Sequence, residues 1–165
     1  MALTANLSLG LNIEFSKSLD LSTPKDTLSQ NRGKTLNNGT GADQADTVWH
    51  DKRTLGDGEN ETLDFHDGSL SDPLGGALTL DELKALYIKN YSSDAGLKIG
   101  GAAANALGLF ADATDILLLP PGGELLFTAP GSGGIDITTN SDLKLEHDGT
   151  GSSSLIYDIV VIGVD

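Results

Sequence analysis

The sequence contains no cysteine among its 165 residues and only ten basic side chains. The absence of cysteine excludes disulfides, cysteine-ligated zinc, iron–sulfur clusters and thiol nucleophiles. The ten Lys and Arg residues stand against 24 Asp and Glu, which gives a net charge of −14. Nucleic acid is therefore not an expected partner, because neutralising phosphates needs clustered basic side chains.

Long apolar runs are absent as well. No stretch reaches the roughly 18 apolar residues that a membrane-spanning helix needs, and the N-terminal segment lacks the cationic start of a secretory signal peptide. We therefore expect no membrane partner and no secretion by that route.

Turn residues are frequent, since the chain has 21 Gly and five Pro, and they separate short apolar segments. About eight such segments after Thr47 predict an all-β fold, an antiparallel β-sandwich or barrel. The run Ile116–Leu119 predicts a strand buried on both faces, and the apolar end of the chain, Leu155–Ile162, predicts a central strand. Thr79 and Glu82 have the spacing of a capping box, which predicts one turn of helix.

The clearest periodicity lies at the N-terminus, where every odd residue from Leu3 to Phe15 is apolar and the residues between are polar or Gly. Such alternation predicts a strand with one buried face. It continues to Leu21 and stops at Pro24, because proline lacks a backbone N–H donor. We expect the apolar side chains of this segment to form an interface with another copy or another protein; they are Leu3, Leu7, Leu9, Leu11, Ile13, Phe15, Leu19 and Leu21.

The segment from Lys25 to Asp46 has only Leu28 and Leu36 as large apolar residues, and it predicts an extended connector. Charge also divides the chain near this point. Residues 1–36 hold four bases and three acids, whereas residues 37–165 hold six bases and 21 acids. We therefore predict an extended N-terminal arm over residues 1–36 and a β-sandwich domain over residues 37–165.

Candidate chemical groups are few. Each of the three histidines, His50, His66 and His147, precedes an aspartate, but no HxH or HxxxH pair of metal ligands occurs. The acidic stretch from Asp43 to Asp67 lacks the spacing of a calcium loop and is better interpreted as a solvated loop. No glycine-rich segment matches a phosphate-binding motif. We therefore expect no enzyme, no catalytic or metal-binding residue and no cofactor.

Several segments resemble those of small virion proteins of tailed bacteriophages. They are SKSLDLSTPKDTLS and NNGTGADQADTVWHDKRTL (residues 16–29 and 37–55), LKALYIKN and LKIGGAAANALGLFADATD (residues 83–90 and 97–115), LLLPPGGELLFTAPGSGGIDIT, and the ending SSSLIYDIVVIG. These segments cover most of the chain, and they are mainly turns and strands.

The resemblance implies a jelly-roll-like antiparallel β-sandwich that decorates or cements the outer surface of a phage capsid. The implied partner is the major capsid protein, and the implied location is the virion, after synthesis in the host cytoplasm. A homo-oligomer is expected, with a trimer favoured and a dimer open. The alternative is a receptor- or glycan-binding appendage of the virion. The small number of aromatic residues counts against this alternative, because sugar binding uses exposed aromatic rings; the chain has one Trp, four Phe and three Tyr.

Overall fold

The computed structural model describes residues 2–151 and 153–165, and every regular element in that part of the chain is a β-strand. The strands are β1 Thr4–Ser16, β2 Lys25–Asn37, β3 Thr47–Leu55, β4 Asn60–Asp64, β5 Glu82–Asn90, β6 Leu97–Gly100, β7 Ile116–Leu119, β8 Glu124–Thr128, β9 Ile135–Asp136, β10 Asp142–His147 and β11 Leu155–Val164. The pairings between these strands are antiparallel. The prediction of an all-β antiparallel fold is confirmed. None of the described segments forms an apolar helix of membrane-spanning length.

Two sheets pack against each other to form a β-sandwich. One sheet has the order β3-β11-β5-β8, with β9 also paired to β5, and the other has the order β4-β10-β6-β7. The core between them contains buried side chains from both sheets, among them Trp49, Leu86, Leu143 and Tyr157, and also Phe65, directly after β4. Strand β11 lies between β3 and β5, as its apolar sequence predicted.

Two local predictions for the sandwich are wrong. Strand β7 is an edge strand, with Leu119 in the core but Ile116 and Leu118 about half exposed on the outer face. An unbroken apolar run therefore does not require burial on both faces. Thr79 and Glu82 do not cap a helix, because β5 begins at Glu82 and pairs with β11 and β9. The Thr79 hydroxyl donates instead to Asp165, at 2.6 Å.

Strands β1 and β2 form a long hairpin, paired from Thr4 opposite Asn37 to Ser16 opposite Lys25. The segment from Lys25 to Asp46, expected to be a connector, therefore contains a thirteen-residue strand. Its side chains do not signal a strand because few of them are buried. Its order comes from backbone hydrogen bonds to β1, which depend on a neighbouring strand rather than on the composition of β2.

The root of the hairpin packs on the outer face of the β3-β11-β5-β8 sheet. Leu36 is fully buried there with Ala45, Ala85 and Ile162, and the side chains of Leu3, Ala5, Leu7, Val48 and Val160 pack around them. Backbone hydrogen bonds between Asn37 and the turn at Asp43 and Ala45 tie the end of β2 to the sandwich. An ion pair of 2.6 Å between Lys34 and Asp43 adds to this attachment.

Candidate interaction surface on the hairpin

One face of the hairpin carries all the large apolar side chains of β1. Residues directly opposite each other in an antiparallel pair point to the same side. We call this side the hairpin face; its members are Ala5, Leu7, Leu9, Leu11, Ile13 and Phe15 of β1 and their partners Leu36, Lys34, Arg32, Gln30, Leu28 and Asp26 of β2. The opposite face is polar. There Thr35 donates to Asn6 at 2.8 Å and Ser29 donates to Asn12 at 2.7 Å.

The hairpin face is buried at its root and exposed from Leu9 onward. Leu36 at the root is 0% exposed, whereas Leu9 is 64% and Phe15 is 73% exposed. Leu11 and Ile13, which lie between Leu9 and Phe15 along β1, and Leu28 on β2 are each about half exposed. The uncovered part of β1 spans seven residues, or about 20 Å at the rise of a strand. We call this uncovered part the distal hairpin face; its members are Leu9, Leu11, Ile13 and Phe15 of β1 and their partners Arg32, Gln30, Leu28 and Asp26 of β2.

The predicted interface residues fall into two groups. Leu3 and Leu7 are half buried against the sheet of their own chain. The other six are exposed: Leu9, Leu11, Ile13 and Phe15 on the distal hairpin face, and Leu19 and Leu21 in the loop between β1 and β2. Leu21 is 99% exposed. Their role as an interface stays a prediction.

A cleft opens where the hairpin leaves the sheet. Its larger part has a volume of about 420 Å³ and is lined mainly by apolar side chains, among them Leu7, Leu9, Tyr87, Leu126 and Val160. A smaller part, of about 180 Å³, lies between the hairpin face and β8 and includes Arg32, Lys34 and Thr128. The sequence carries no signal for this cleft, because its two walls come from segments more than 70 residues apart.

The charges on the hairpin strands differ in their environment. Lys25 pairs with Glu14 on the polar face at 2.8 Å, and Lys34 pairs with Asp43 at the root. Asp26 and Arg32 both lie on the distal hairpin face, opposite Phe15 and Leu9. Within residues 2–151 and 153–165, neither of these two side chains has an ion-pair partner.

No protein-family model and no curated protein matches this chain.

The three histidines lie on separate elements. His50 is exposed on β3, and His66 Nδ1 lies 2.9 Å from the carbonyl oxygen of Leu80. His147 is buried at the end of β10, where its Nδ1 accepts from the Gly149 N–H at 3.1 Å. Its Nε2 therefore carries the proton and donates to the Ser153 carbonyl at 3.0 Å. Both ring nitrogens of His147 thus form hydrogen bonds with the backbone of the loop between β10 and β11.

The acidic stretch is more ordered than the solvated loop expected from the sequence. Glu61 lies in β4 and bonds to Arg53 at 2.6 Å and to Tyr157 at 2.7 Å. The hydrogen bond that Arg53 donates to Glu61 is the main cause that holds the pKa of Arg53 above its usual value. In the described part of the chain, no three His, Asp or Glu side chains are grouped closely enough to hold a metal ion.

Asp64 and Asp142 face each other across β4 and β10. Burial, followed by the neighbouring charge of Asp64, raises the pKa of Asp142. For Asp64, burial acts in the same direction, but hydrogen bonds from the His66 and Asp67 backbones and from Ser141 outweigh it, and the pKa is lowered. The two pKa values are therefore shifted in opposite directions, so Asp142 takes up a proton before Asp64 as the pH falls.

Proposed function

We propose that this protein is a structural virion protein that coats the outer surface of a phage capsid and joins neighbouring subunits, with the distal hairpin face as the interface that holds it in the coat. The observation that carries the proposal is the exposed apolar strip of Leu9, Leu11, Ile13 and Phe15 on a hairpin that extends beyond a well-packed sandwich. Contiguous exposed apolar surface of this kind is typical of protein–protein interfaces.

The energetics of burial favour an interface at this strip. Complete burial of a Leu, Ile or Phe side chain contributes roughly 1.5–3 kcal/mol, so four half-exposed side chains supply a substantial driving force. The cost of ordering the segment is small, because the hairpin is already paired along thirteen residues in the single chain. A preorganised binding element loses less conformational entropy when it docks than a disordered arm does.

The distribution of charge supports the hairpin as the attachment element. The body carries a net charge of −15 over residues 37–165, whereas residues 1–36 carry +1. Two strongly acidic surfaces repel each other over about 8–10 Å at physiological salt. A nearly neutral hairpin extends beyond the acidic body and can approach another acidic protein without that cost.

The strand order supports the jelly-roll part of the expectation. Without the two-residue strand β9, the described part of the sandwich has eight strands, and numbered in chain order they form sheets 1-8-3-6 and 2-7-4-5. This is the order expected for a jelly roll, an architecture found in viral capsid proteins and in lectins. Because one architecture hosts many functions, the fold alone does not choose between them.

The alternative of a glycan-binding appendage has less support. Tyr91 is an exposed aromatic ring on the sandwich, but its hydroxyl donates to Asp158 at 2.7 Å. The ammonium groups of Lys52 and Lys89 lie 4.8 and 5.3 Å from the centroid of its ring. The ring face that would stack on a sugar is thus already in contact with cations.

The proposal is tested by shortening the hairpin in the full protein. A two-residue Asn-Gly turn that replaces residues 9–32 would connect Ser8 to Gly33, which are paired partners, and would leave the root intact. We expect this variant to keep its near-UV circular dichroism and to lose cosedimentation with shells of the parent phage that lack the protein. Full-strength cosedimentation of the folded variant would overturn the proposal.

A further inference from the structure

We infer that the distal hairpin face is covered by the same face of a second copy of this chain, with the two hairpins stacked antiparallel about a two-fold axis. The inference rests on the proposed function only for the choice of this face as an interface, and it names the partner. An apolar strip of this kind accepts several occupants in principle. The arrangement of side chains along the strip selects a second copy.

The apolar side chains of β1 on the distal hairpin face are nearly symmetric about its middle, whereas Gln30 and Leu28 of β2 occupy matching positions with different side chains. The pair Asn12 and Ser29 marks the centre of the uncovered stretch. Leu11 and Ile13 lie one residue to either side of Asn12, and Leu9 and Phe15 lie three residues to either side. Large apolar side chains therefore lie at matching distances on either side of the centre, so that a two-fold axis brings apolar groups of the two copies together, as a self-complementary interface requires.

The charges on the same face have the complementary symmetry. Arg32 and Asp26 lie three residues to either side of Ser29 and have opposite signs. They are also the two charged side chains of the hairpin strands that have no ion-pair partner in residues 2–151 and 153–165. A two-fold interface pairs each of these charges with the opposite charge of the second copy, whereas a solvent-exposed face leaves both unpaired.

The two-fold axis lies midway between the two hairpins, at the level of Asn12 and Ser29, and runs perpendicular to the strands. Stacking about this axis brings the apolar and the charged side chains of the two copies together. Leu11 then faces Ile13 of the second copy, and Leu9 faces its Phe15. Arg32 faces Asp26 of the second copy, and both such pairs form at once. Stacked sheets lie about 10 Å apart, a gap that an arginine and an aspartate side chain span together.

The positions of the two bodies are compatible with this packing. Each body joins its hairpin at the root, beyond Leu7, so antiparallel stacking places the two sandwiches at opposite ends of the overlap. The loop between β1 and β2 of one copy then reaches the cleft at the root of the other. Leu21, which is almost fully exposed in the single chain, meets the apolar wall that includes Leu126.

The test is self-association of the full chain without any shell present, followed by sedimentation velocity over a concentration series. We expect a dimer for the natural sequence. Arg32→Asp places two aspartates opposite each other at both ends of the interface, and Asp26→Arg does the same with two arginines. Each single change is expected to raise the dissociation constant by about tenfold or more. The double variant, Arg32→Asp with Asp26→Arg, is expected to restore dimerisation.

Matched controls separate the face from general effects of charge. Lys25→Glu changes a charge by the same amount on the polar face, and it is expected to leave the dimer intact. Leu11→Asp is expected to abolish the dimer, whereas Asn12→Asp, which adds the same charge to the opposite face one residue away, is not. All of these positions are exposed, so near-UV circular dichroism of the variants is expected to match that of the natural chain.

The outcomes distinguish this inference from the proposed function. A chain that stays monomeric at every concentration, or a double variant that fails to restore the dimer, overturns the antiparallel pairing. A monomeric chain that cosediments with shells through the hairpin overturns the pairing and leaves the proposed function standing. A dimer with the expected charge dependence that does not bind shells supports the pairing and counts against the proposed function.

Discussion

The hydroxyl of Tyr157 donates a 2.7 Å hydrogen bond to Glu61, although the two residues belong to opposite sheets of the sandwich. Glu61 also accepts from the guanidinium of Arg53 at 2.6 Å. Burial, followed by the hydrogen bond to Glu61, raises the pKa of Tyr157 far above its usual range. The carboxylate of Glu61 therefore joins the central strand β11 and the edge strand β3 to β4 across the side of the core.

Tyr157→Phe tests the contribution of this bond to stability. The change removes the donor and leaves Glu61 with Arg53, so we expect the free energy of unfolding to fall by about 1.5 kcal/mol, the lower end of the range for a hydrogen bond to a charged group. Urea denaturation measures the change. Tyr87→Phe is the matched control, because Tyr87 donates to Glu124 at 3.3 Å on the surface, and its loss is expected to have little effect. Equal effects of the two changes would contradict the prediction.

Lys84 is expected to be a second stabilising residue. It is fully buried, forms an ion pair with Glu82 at 2.6 Å, and donates to the carbonyl oxygens of Gly131 and Ser132. Lys84→Met leaves these acceptors without a donor, so we expect a loss of about 3 kcal/mol in the free energy of unfolding. Hydrogen exchange in residues 130–134 is expected to accelerate. Lys89→Met removes a surface ion pair with Glu124 and is expected to change little.

Asp142 and Asp64 are expected to respond to neutralisation with opposite signs. The pKa of Asp142 is raised in the folded state, so its ionisation costs stability, and this cost develops as pH rises through the folded-state pKa. Asp142→Asn should therefore stabilise the protein at neutral pH, and the gain should shrink as pH falls.

The pKa of Asp64 is lowered in the folded state, so its ionised form contributes stability above the unfolded-state pKa. Asp64→Asn should therefore destabilise the protein at neutral pH, and the loss should disappear as pH falls through the folded-state pKa. Denaturation midpoints of both variants across a pH series measure the two effects. The same sign for both at neutral pH would contradict the opposite directions of the two pKa shifts.

Limited proteolysis tests whether the hairpin is covered in the assembled state. Lys17 begins the loop between β1 and β2, which is exposed in the single chain, so trypsin is expected to cut there first. In assembled particles or concentrated protein, cleavage at Lys17 is expected to slow strongly. The Arg32→Asp variant is expected to stay sensitive at the same concentration. Cleavage at the same rate in particles and in dilute protein would contradict burial of this segment.

Several features were predictable because they depend on neighbours in the sequence. The alternation from Leu3 to Phe15 correctly predicted a strand, and the apolar segment Leu155–Ile162 correctly predicted a central strand. The all-β class followed from short apolar segments between frequent turn residues. Each of these signals is local, since both the alternation of a strand and the conformation of a turn depend on residues that are adjacent in sequence.

Other features depend on residues that are distant in sequence. The composition of β2 did not predict a strand, because its partner β1 supplies the hydrogen bonds. The run Ile116–Leu119 did not indicate an edge strand. Its edge position follows from the order of strands in the sheet, in which β7 pairs with β6 at the end of the row. Glu61 looked like part of a solvated loop, because Arg53 and Tyr157 meet it only after the two sheets have packed.

The sequence by itself determined that one face of the N-terminal strand is apolar from Leu3 to Phe15, because side-chain direction in a strand alternates residue by residue. Only the tertiary structure decided how much of that face its own chain covers. Coverage ends near Leu7, where the hairpin leaves the sheet at Leu126, and the apolar strip from Leu9 to Phe15 continues into solvent. Burial depends on the path of the whole hairpin relative to a sheet built from distant strands, and no local pattern encodes that path.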